Sequence, residues 1–475
     1  CDRNVSFEIG DASLNGTAGA ITTGVDNSIL PPQSFPGPFS QGDPPSEIQI
    51  ITSEPAITGT IDILPSEPTN PEPLSIPDEL PIQEIQNQLQ RIEEATGVNP
   101  AIVYVSFWPK GIDEEIRKRQ ASSDPEDIVS SDDILSVSGK EDIDNYQLEL
   151  VLITKDGEPI REVVDTTRKD VLREAQKLRE ALRYGSQIED QEYKYQYKEP
   201  ATKLFNWLIK KLECHLRFRN IENLVFKMPK GLRNIPLAVL FDEKEGKFLV
   251  EKEYTVGLIP SLRLTDTRLV DVRDIKILAM GNSKHLNLAK EEIEAIKTSS
   301  GSRVSEVLLD ENFTWNEVKS KLNKKTPGII HLATHATFNT ENYEDSYINF
   351  WESIVTFPQL RELKWNDPPI ELLVLSACET SLGTQEEKAE FGFAGLANRL
   401  GVKSVLGSLW LADEKGTQKL MEYFYEELFK EEKTTDNKKI TKAEALQKAQ
   451  RKLLKNVELD HPYYWSGFTI IGNPW

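Results

Sequence analysis

Six short apolar runs in the second half of the chain are the feature that most restricts its fold. Each run is a few residues long, and helical patterns lie between most of them. Runs of this kind are typical of strands that are buried on both faces of a parallel sheet. The alternation predicts an α/β fold, with about six mostly parallel strands flanked by helices. The six runs cover residues 275–280, 304–309, 329–334, 372–375, 402–409 and 468–471.

Several helix ends in this half are marked by capping residues. Thr314 with Glu317, and Thr441 with Glu444, match the capping-box pattern in which two side chains satisfy the first free N–H groups of a helix. Gly401 is typical of the residue that follows a helix end, and it is expected to stop a helix over 391–400.

The first half of the ordered chain predicts a smaller α+β region. Strands are expected over 102–108, 148–154 and 224–226, with a long exposed loop over 109–145. Helical spacing begins near Ile82, and further helices are predicted over 167–184 and 202–216.

Everything before this region is predicted to be disordered. Residues 1–30 form a Gly/Asn-rich tail that resembles the end of a repeat region, and residues 31–82 form a proline-rich linker that lacks the apolar surface needed to fold. The remaining chain is divided into an N-terminal part, 83–220, and a catalytic part, 221–475.

Composition restricts the partners of the chain. Its 475 residues carry a formal net charge of −21. This charge argues against nucleic acids and anionic membrane surfaces as binding partners, because both are negatively charged. A basic substrate is compatible with it. No run is long enough to predict a membrane span. The chain begins at Cys1 rather than Met, so we expect either the cytoplasm or, if an export signal lies upstream, the cell envelope or exterior.

One cysteine lies where chemistry is expected in such a fold. Cys378 follows the apolar run 372–375, and His335 follows the run 329–334, 43 residues earlier. Ligands and reactive groups of open α/β sheets gather at the carboxyl ends of the strands. Caspase-type proteases place their histidine about 50 residues before the cysteine. His335 could therefore activate the Cys378 thiol as a general base.

The residues alone leave a simpler interpretation open. Cys378 can be a small buried apolar side chain, and His335 a core histidine bonded to the backbone. The spacing of the three cysteines fits no zinc motif, and the sequence predicts neither a metal nor a cofactor.

Four motifs follow one another in the second half of the chain. They are His331-Leu-Ala-Thr-His335, Leu375-Ser-Ala-Cys378-Glu-Thr, Ser404-Val-Leu-Gly-Ser-Leu-Trp410 followed by Asp413, and His461-Pro-Tyr-Tyr-Trp465 before Gly472-Asn-Pro474. In this order they resemble one known family, the CHAT domain, a caspase-like peptidase domain related to separase and often found beside TPR repeats in bacteria. The resemblance runs from about residue 101 to residue 475.

The resemblance implies a caspase–haemoglobinase fold of clan CD, with His335 and Cys378 as the catalytic dyad. The backbone N–H groups of Ala336 and Cys378 would then form the oxyanion hole. The family usually has glycine after the histidine, so Ala336 would not suit a backbone angle that only glycine adopts.

Relatives such as separase prefer a basic residue before the cleaved bond, held by an acid shortly after the Leu-Trp pair. Asp413 and Glu414 match that position, and Glu379 is a lesser candidate. The same two acids would also suit the N-terminus of a helix that begins near Lys415, through its dipole.

Two functions follow. The first is a cysteine endopeptidase that cuts a protein or peptide after a basic residue, with a protein activator as a possible partner. The alternative is a catalytically silent CHAT-type signalling or docking module, which the Ala336 departure and the long linker favour.

Overall fold

The structure is a computed structural model that describes part of the chain in detail. The described residues are 80–110, 143–185, 194–263, 265–272, 275–324, 328–337, 343–363, 365, 369–376, 397, 400–410, 412–430 and 439–475. The predicted tail and most of the linker lie outside them, as do most of the loop predicted over 109–145 and most of the helix predicted over 391–400.

Sixteen strands occur in the described residues, and eleven of them form one sheet. In chain order they are β1 (Pro100–Trp108), β2 (Gln147–Thr154), β3 (Ile160–Thr167), β4 (Asn223–Lys227), β5 (Phe241–Asp242), β6 (Lys247–Phe248), β7 (Thr255–Leu258), β8 (Ile277–Gly281), β9 (Val304–Leu309), β10 (Ile329–Ala333), β11 (Ala336–Thr337), β12 (Tyr347–Asn349), β13 (Ile354–Thr356), β14 (Leu372–Leu375), β15 (Ser404–Ser408) and β16 (Phe468–Gly472).

Ten α-helices are described around these strands. They are α1 (Ile82–Thr96), α2 (Arg168–Gly185), α3 (Lys198–Leu208), α4 (Glu213–Phe218), α5 (Ala289–Ser300), α6 (Trp315–Lys324), α7 (Phe357–Leu360), α8 (Glu414–Leu428), α9 (Lys442–Leu454) and α10 (Pro462–Trp465). The helix predicted over 202–216 is two helices, α3 and α4.

The large sheet has the strand order β3-β2-β1-β4-β7-β16-β15-β14-β10-β8-β9. Strands β15, β14, β10, β8 and β9 are parallel to one another, and β16 is antiparallel to β15. Strands β1, β4, β7 and β16 form a second parallel group. The predicted α/β fold class is confirmed. The sheet is wider than about six strands because the N-terminal strands pair with it directly.

The apolar composition of the central strands explains their place in the sheet. Every residue of β8, β10, β14 and β15 is buried, as expected for parallel strands covered by helices on both faces. Strand β1 shows the two faces separately. Its residues Val103 and Val105 belong to the main core, whereas Ile102 packs with Ile85 and Leu89 of α1 on the opposite face.

Both predicted capping residues begin helices. The Thr441 side chain accepts from the Glu444 N–H at 3.1 Å at the start of α9, and the Thr314 hydroxyl accepts from the Glu317 N–H at 3.4 Å beside α6. A short hydroxyl side chain can satisfy these N–H groups locally, so the signal is readable from sequence.

The remaining strands form two small sheets. Strands β11, β12 and β13 make an antiparallel sheet directly after β10, and β5 pairs with β6. Among the described helices, none has the length and apolar character that crossing a membrane requires.

Helix α9 begins with a fully buried lysine, Lys442. Burial lowers its pKa to about 8, and the negative charge of Glu371 only partly opposes this effect. Lys403, whose Nζ lies 2.7 Å from Glu371, lowers the pKa of Lys442 further. The folded protein therefore loses this proton at a lower pH than the unfolded chain does.

We expect the stability of the protein to rise with pH between about 8 and 10.5 through Lys442. In that window the unfolded chain holds the proton and the folded protein does not, which favours folding by about 3 kcal/mol in total. Urea denaturation across this range should show a steeper rise for the wild type than for Lys442→Met. Lys455→Met, which removes an exposed lysine after the same helix, is the control. Equal pH dependence in Lys442→Met and the wild type would contradict this account.

Candidate active site

The candidate site lies where four parallel strands end together. Strands β8, β10, β14 and β15 run in one direction, so their carboxyl ends share one edge of the sheet. Leu332 of β10 is paired with Leu375 of β14, and the Ser376 N–H donates to the Leu332 carbonyl at 3.0 Å. This register fixes which residues can meet beyond the strand ends.

His335 lies at this edge, two residues after the end of β10, and is half-buried. Its backbone is held by β12. The Asn349 N–H donates to the His335 carbonyl at 2.9 Å, and the Thr334 hydroxyl donates to the Asn349 carbonyl at 2.7 Å. The position of the imidazole therefore depends on a segment that follows it in the chain.

Ala336 continues into β11, where it is paired with Ile348. The bond from Asn349 to His335 makes this a non-hydrogen-bonded pair, so the Ala336 N–H points away from β12. Among the described non-glycine residues, positive φ angles occur at Asn220 and Asp310. Ala336 therefore needs no conformation that only glycine adopts.

A loop after β8 packs against the same edge. Asn282 is fully buried, and its N–H donates to the Ala333 carbonyl at 3.1 Å. Its side-chain amide donates to the Phe350 carbonyl at 3.0 Å, and its side-chain oxygen accepts from the Lys284 N–H at 3.1 Å. One asparagine thus connects the end of β10, the β12–β13 hairpin and its own loop.

Each of the next three residues of this loop contacts a neighbouring side chain. The Ser283 N–H and hydroxyl both donate to the Asp310 carboxylate, at 2.9 and 2.6 Å. The Lys284 ammonium lies 3.6 Å from the ring centroid of Trp351. His285 is exposed, and its ring contacts that of His335 edge-on, with 6.4 Å between the centroids.

The two acids predicted near the site begin helix α8. Asp413 is the N-cap, with its carboxylate accepting from the Gly416 N–H at 2.8 Å, and Glu414 is the first helical residue. The Glu414 carboxylate also accepts from the Asn287 side-chain amide at 3.3 Å. The loop after β8 therefore contacts both His335, through His285, and Glu414, through Asn287.

A family comparison adds to this geometry. The model of the CHAT domain matches residues 198–473, which is more than half of the chain. The chain belongs to the CHAT domain family. The resemblance predicted from the motifs is confirmed. No curated protein matches the sequence significantly.

Two solved structures are similar in fold to parts of this chain. The Arg-specific cysteine proteinase gingipain R (RgpB) of Porphyromonas gingivalis is 13% identical, with a TM-score of 0.40, 58% of this chain covered and 67% of that chain. Separase in the Saccharomyces cerevisiae separase–securin complex is 11% identical, with a TM-score of 0.47, 82% of this chain covered and 31% of that chain. The CHAT protein thus spans less than a third of the separase chain.

The predicted site residues of this CHAT protein are only partly described. His335, Ala336, Asp413 and Glu414 lie in the described residues. Cys378 and Glu379 lie outside them. His335 and Glu414 both contact the loop after β8, through His285 and Asn287. No sequence motif singled out His285 or Asn282, although both follow a parallel strand and lie at the edge where ligands are expected.

His331, earlier in the strand that leads to His335, is part of a buried hydrogen-bond network. Its Nε2 lies 2.8 Å from the Glu292 carboxylate and its Nδ1 lies 3.2 Å from the Tyr425 hydroxyl. Burial, and then the negative charge of Glu292, raises the pKa of Tyr425 well above its ordinary value. The network connects α5 and α8 to β10 and therefore helps to hold the strand that leads to His335.

His461, the last histidine of the four motifs, makes contacts that stabilise a helix end and an aromatic cluster. His461 is the N-cap of α10, where its Nδ1 accepts from the Tyr463 N–H at 3.2 Å, and its ring packs edge-on against Tyr197. Trp465 is fully buried and donates to the Asp460 carbonyl at 3.0 Å.

Among the described residues, three carboxylates lie within 4.8 Å of one another, as metal ligands do: those of Glu213, Asp242 and Glu245. The Lys252 ammonium lies among them, 3.1 Å from Glu213, 2.5 Å from Asp242 and 3.0 Å from Glu245. The lysine already supplies the positive charge that these acids require, and the group lies outside the candidate site.

Substitution of Asp413 should reveal its role as a cap. Asp413→Ala should lower the free energy of unfolding by about 1 kcal/mol, because the Gly416 N–H loses its acceptor. Asp413→Asn should retain most of the stability, since the amide oxygen can accept the same bond. Urea denaturation of the three proteins measures the difference. An alanine variant as stable as the wild type would show that the cap contributes nothing.

Proposed function

We propose that this CHAT protein is a cysteine endopeptidase in which His335 and Cys378 form the catalytic dyad. The observation that carries the proposal is the pairing of Leu332 with Leu375. His335 follows Leu332 by three residues, and Cys378 follows Leu375 by three residues. The two chain segments leave neighbouring parallel strands at the same level, which favours a meeting of imidazole and thiol.

The chemistry follows from these groups. His335 accepts the thiol proton, and the thiolate attacks the carbonyl carbon of the peptide bond. The imidazolium then donates its proton to the leaving amine, which leaves a thioester on Cys378. Water, deprotonated by His335, hydrolyses the thioester and regenerates the thiol.

Two backbone N–H groups would stabilise the negative oxygen formed during the attack. We assign them to Cys378 and Ala336. The extended backbone of Ala336 and the direction of its N–H, away from β12, support this assignment. The replacement of the usual glycine is therefore no argument against activity.

We further propose that the substrate carries a basic residue before the cleaved bond. Asp413 and Glu414 are both half-buried, and Glu414 is connected through Asn287 to the loop that contacts His335. A carboxylate pair suits a guanidinium, which binds carboxylates through two hydrogen bonds. Glu379, next to the nucleophile in sequence, is a lesser candidate.

Cys378→Ala and His335→Ala should each lower kcat/KM on fluorogenic peptides with Arg or Lys before the bond by at least about 10³-fold, because the residues of a dyad act as one unit. His215→Ala, which removes a histidine 3.6 Å from Glu162 of β3, is the matched control and should retain activity. An acyloxymethyl-ketone probe should alkylate Cys378. Turnover unchanged in Cys378→Ala would contradict the proposal. No turnover and no alkylation in the wild type, with partner binding unaffected by either variant, would instead favour the silent docking module.

Asp413→Asn and Glu414→Gln should each lower kcat/KM for the Arg peptide by about tenfold to a hundredfold, the loss expected for a hydrogen bond between charged groups. The same variants should leave hydrolysis of a peptide with norleucine in place of arginine unchanged. Glu426→Gln, an exposed substitution on the same helix, is the charge-matched control. Equal losses on both peptides would mean that the acids act through the fold and not through the substrate.

A further inference from the structure

We propose that His285 and His335 together bind a divalent transition-metal ion, and that the bound ion switches the site off. The rings of the two histidines are in edge-on contact, with centroids 6.4 Å apart and planes at 73°. His285 comes from the loop after β8 and His335 from the segment after β10, so two neighbouring strand ends each contribute one imidazole.

The distance suits a shared ion after a small adjustment. Zinc binds imidazole nitrogen at about 2.0–2.1 Å in tetrahedral geometry, which places two ligating ring centroids about 5 Å apart. The observed separation of 6.4 Å is larger by about 1 Å, so one ring must move toward the other for both to bind the same ion. His285 is exposed, so its ring can rotate about its side-chain torsions without displacing a packed neighbour.

The backbone on both sides of the pair is fixed by hydrogen bonds. Asn282 attaches the loop to the Ala333 carbonyl, and Ser283 attaches it to Asp310. His335 is attached to Asn349. A site whose backbone is already held in place loses less entropy when it binds, so these hydrogen bonds favour ion binding.

The surrounding charges are compatible with a cation. Asn287, two residues after His285, donates to the Glu414 carboxylate, and the whole chain carries a net charge of −21. The nearest loop cation, Lys284, has its ammonium over the Trp351 ring. The indole ring partly offsets the positive charge of Lys284.

The ligand type identifies the class of ion. Neutral imidazoles prefer Zn²⁺, Ni²⁺ and Cu²⁺, whereas Mg²⁺ and Ca²⁺ prefer oxygen ligands. Two histidines leave the other coordination positions to water, which predicts reversible binding rather than a resident structural metal. An ion on the imidazole of His335 either occupies the nitrogen that would accept the thiol proton or, when bound to the other nitrogen, lowers the basicity of the ring. This inhibitory effect rests on the proposed peptidase function, whereas the binding itself does not.

Zn²⁺ binding to the intact chain should be measured by competition with a chromophoric chelator at neutral pH and 0.1 M salt. His285→Ala and His335→Ala should each weaken one site at least tenfold, because each removes one of two protein ligands. His215→Ala should bind as the wild type does. The same series in a Cys378→Ala background removes the candidate thiol from the comparison. Affinity unchanged in His285→Ala in either background would overturn the inference.

The second measurement is peptide turnover with added Zn²⁺. The same Zn²⁺ concentration should inhibit the wild type and His215→Ala, and inhibition of His285→Ala should require at least tenfold more Zn²⁺. Inhibition of His285→Ala at the wild-type concentration would overturn the regulatory role. If the wild type shows no turnover at all, the proposed function fails, and the chelator competition still decides whether the two histidines bind the ion.

Discussion

The parallel pairing of β10 with β14 is the contact on which the rest of the candidate site depends. The two strands are buried along their whole length, so each backbone group must find a partner in a neighbouring strand. A shift of one residue would turn every apolar side chain to the opposite face. The register of Leu332 with Leu375 is therefore strongly determined, and it sets the level at which both chain segments leave the sheet.

Hydrogen bonds beyond the strand ends then place the histidine. Asn282, buried at the end of β8, is bonded to β10, to the β12–β13 hairpin and to its own loop. Asn349 of the hairpin holds the backbone of His335. A buried polar side chain that satisfies several backbone groups is costly to replace, so Asn282 supports the site without belonging to its chemistry. The His331–Glu292–Tyr425 network connects helices α5 and α8 to β10, the strand that leads to His335.

Asp413 caps a helix and is also one of the two acids that we propose for substrate recognition. Its carboxylate caps α8 through Gly416, which is the role that its position before a helix predicts. A carboxylate has two oxygens with several acceptor positions, so the cap does not use its full capacity. The hydrogen bond of the cap restrains the carboxylate, which would favour the proposed recognition of a guanidinium.

Local patterns in the sequence determined much of this protein. Apolar runs predicted the central strands, with β9 and β14 at the predicted bounds, and the Thr441 and Thr314 caps were readable because capping involves residues only three apart. The motifs around His335 and Cys378 indicated the family. Only the tertiary structure decided that β1 pairs with β4 and so joins the N-terminal strands to the large sheet. It also brought His285 to His335 and Asn287 to Glu414. The physical reason is separation along the chain: Asn287 and Glu414 are 127 residues apart, and no local propensity specifies a contact between them.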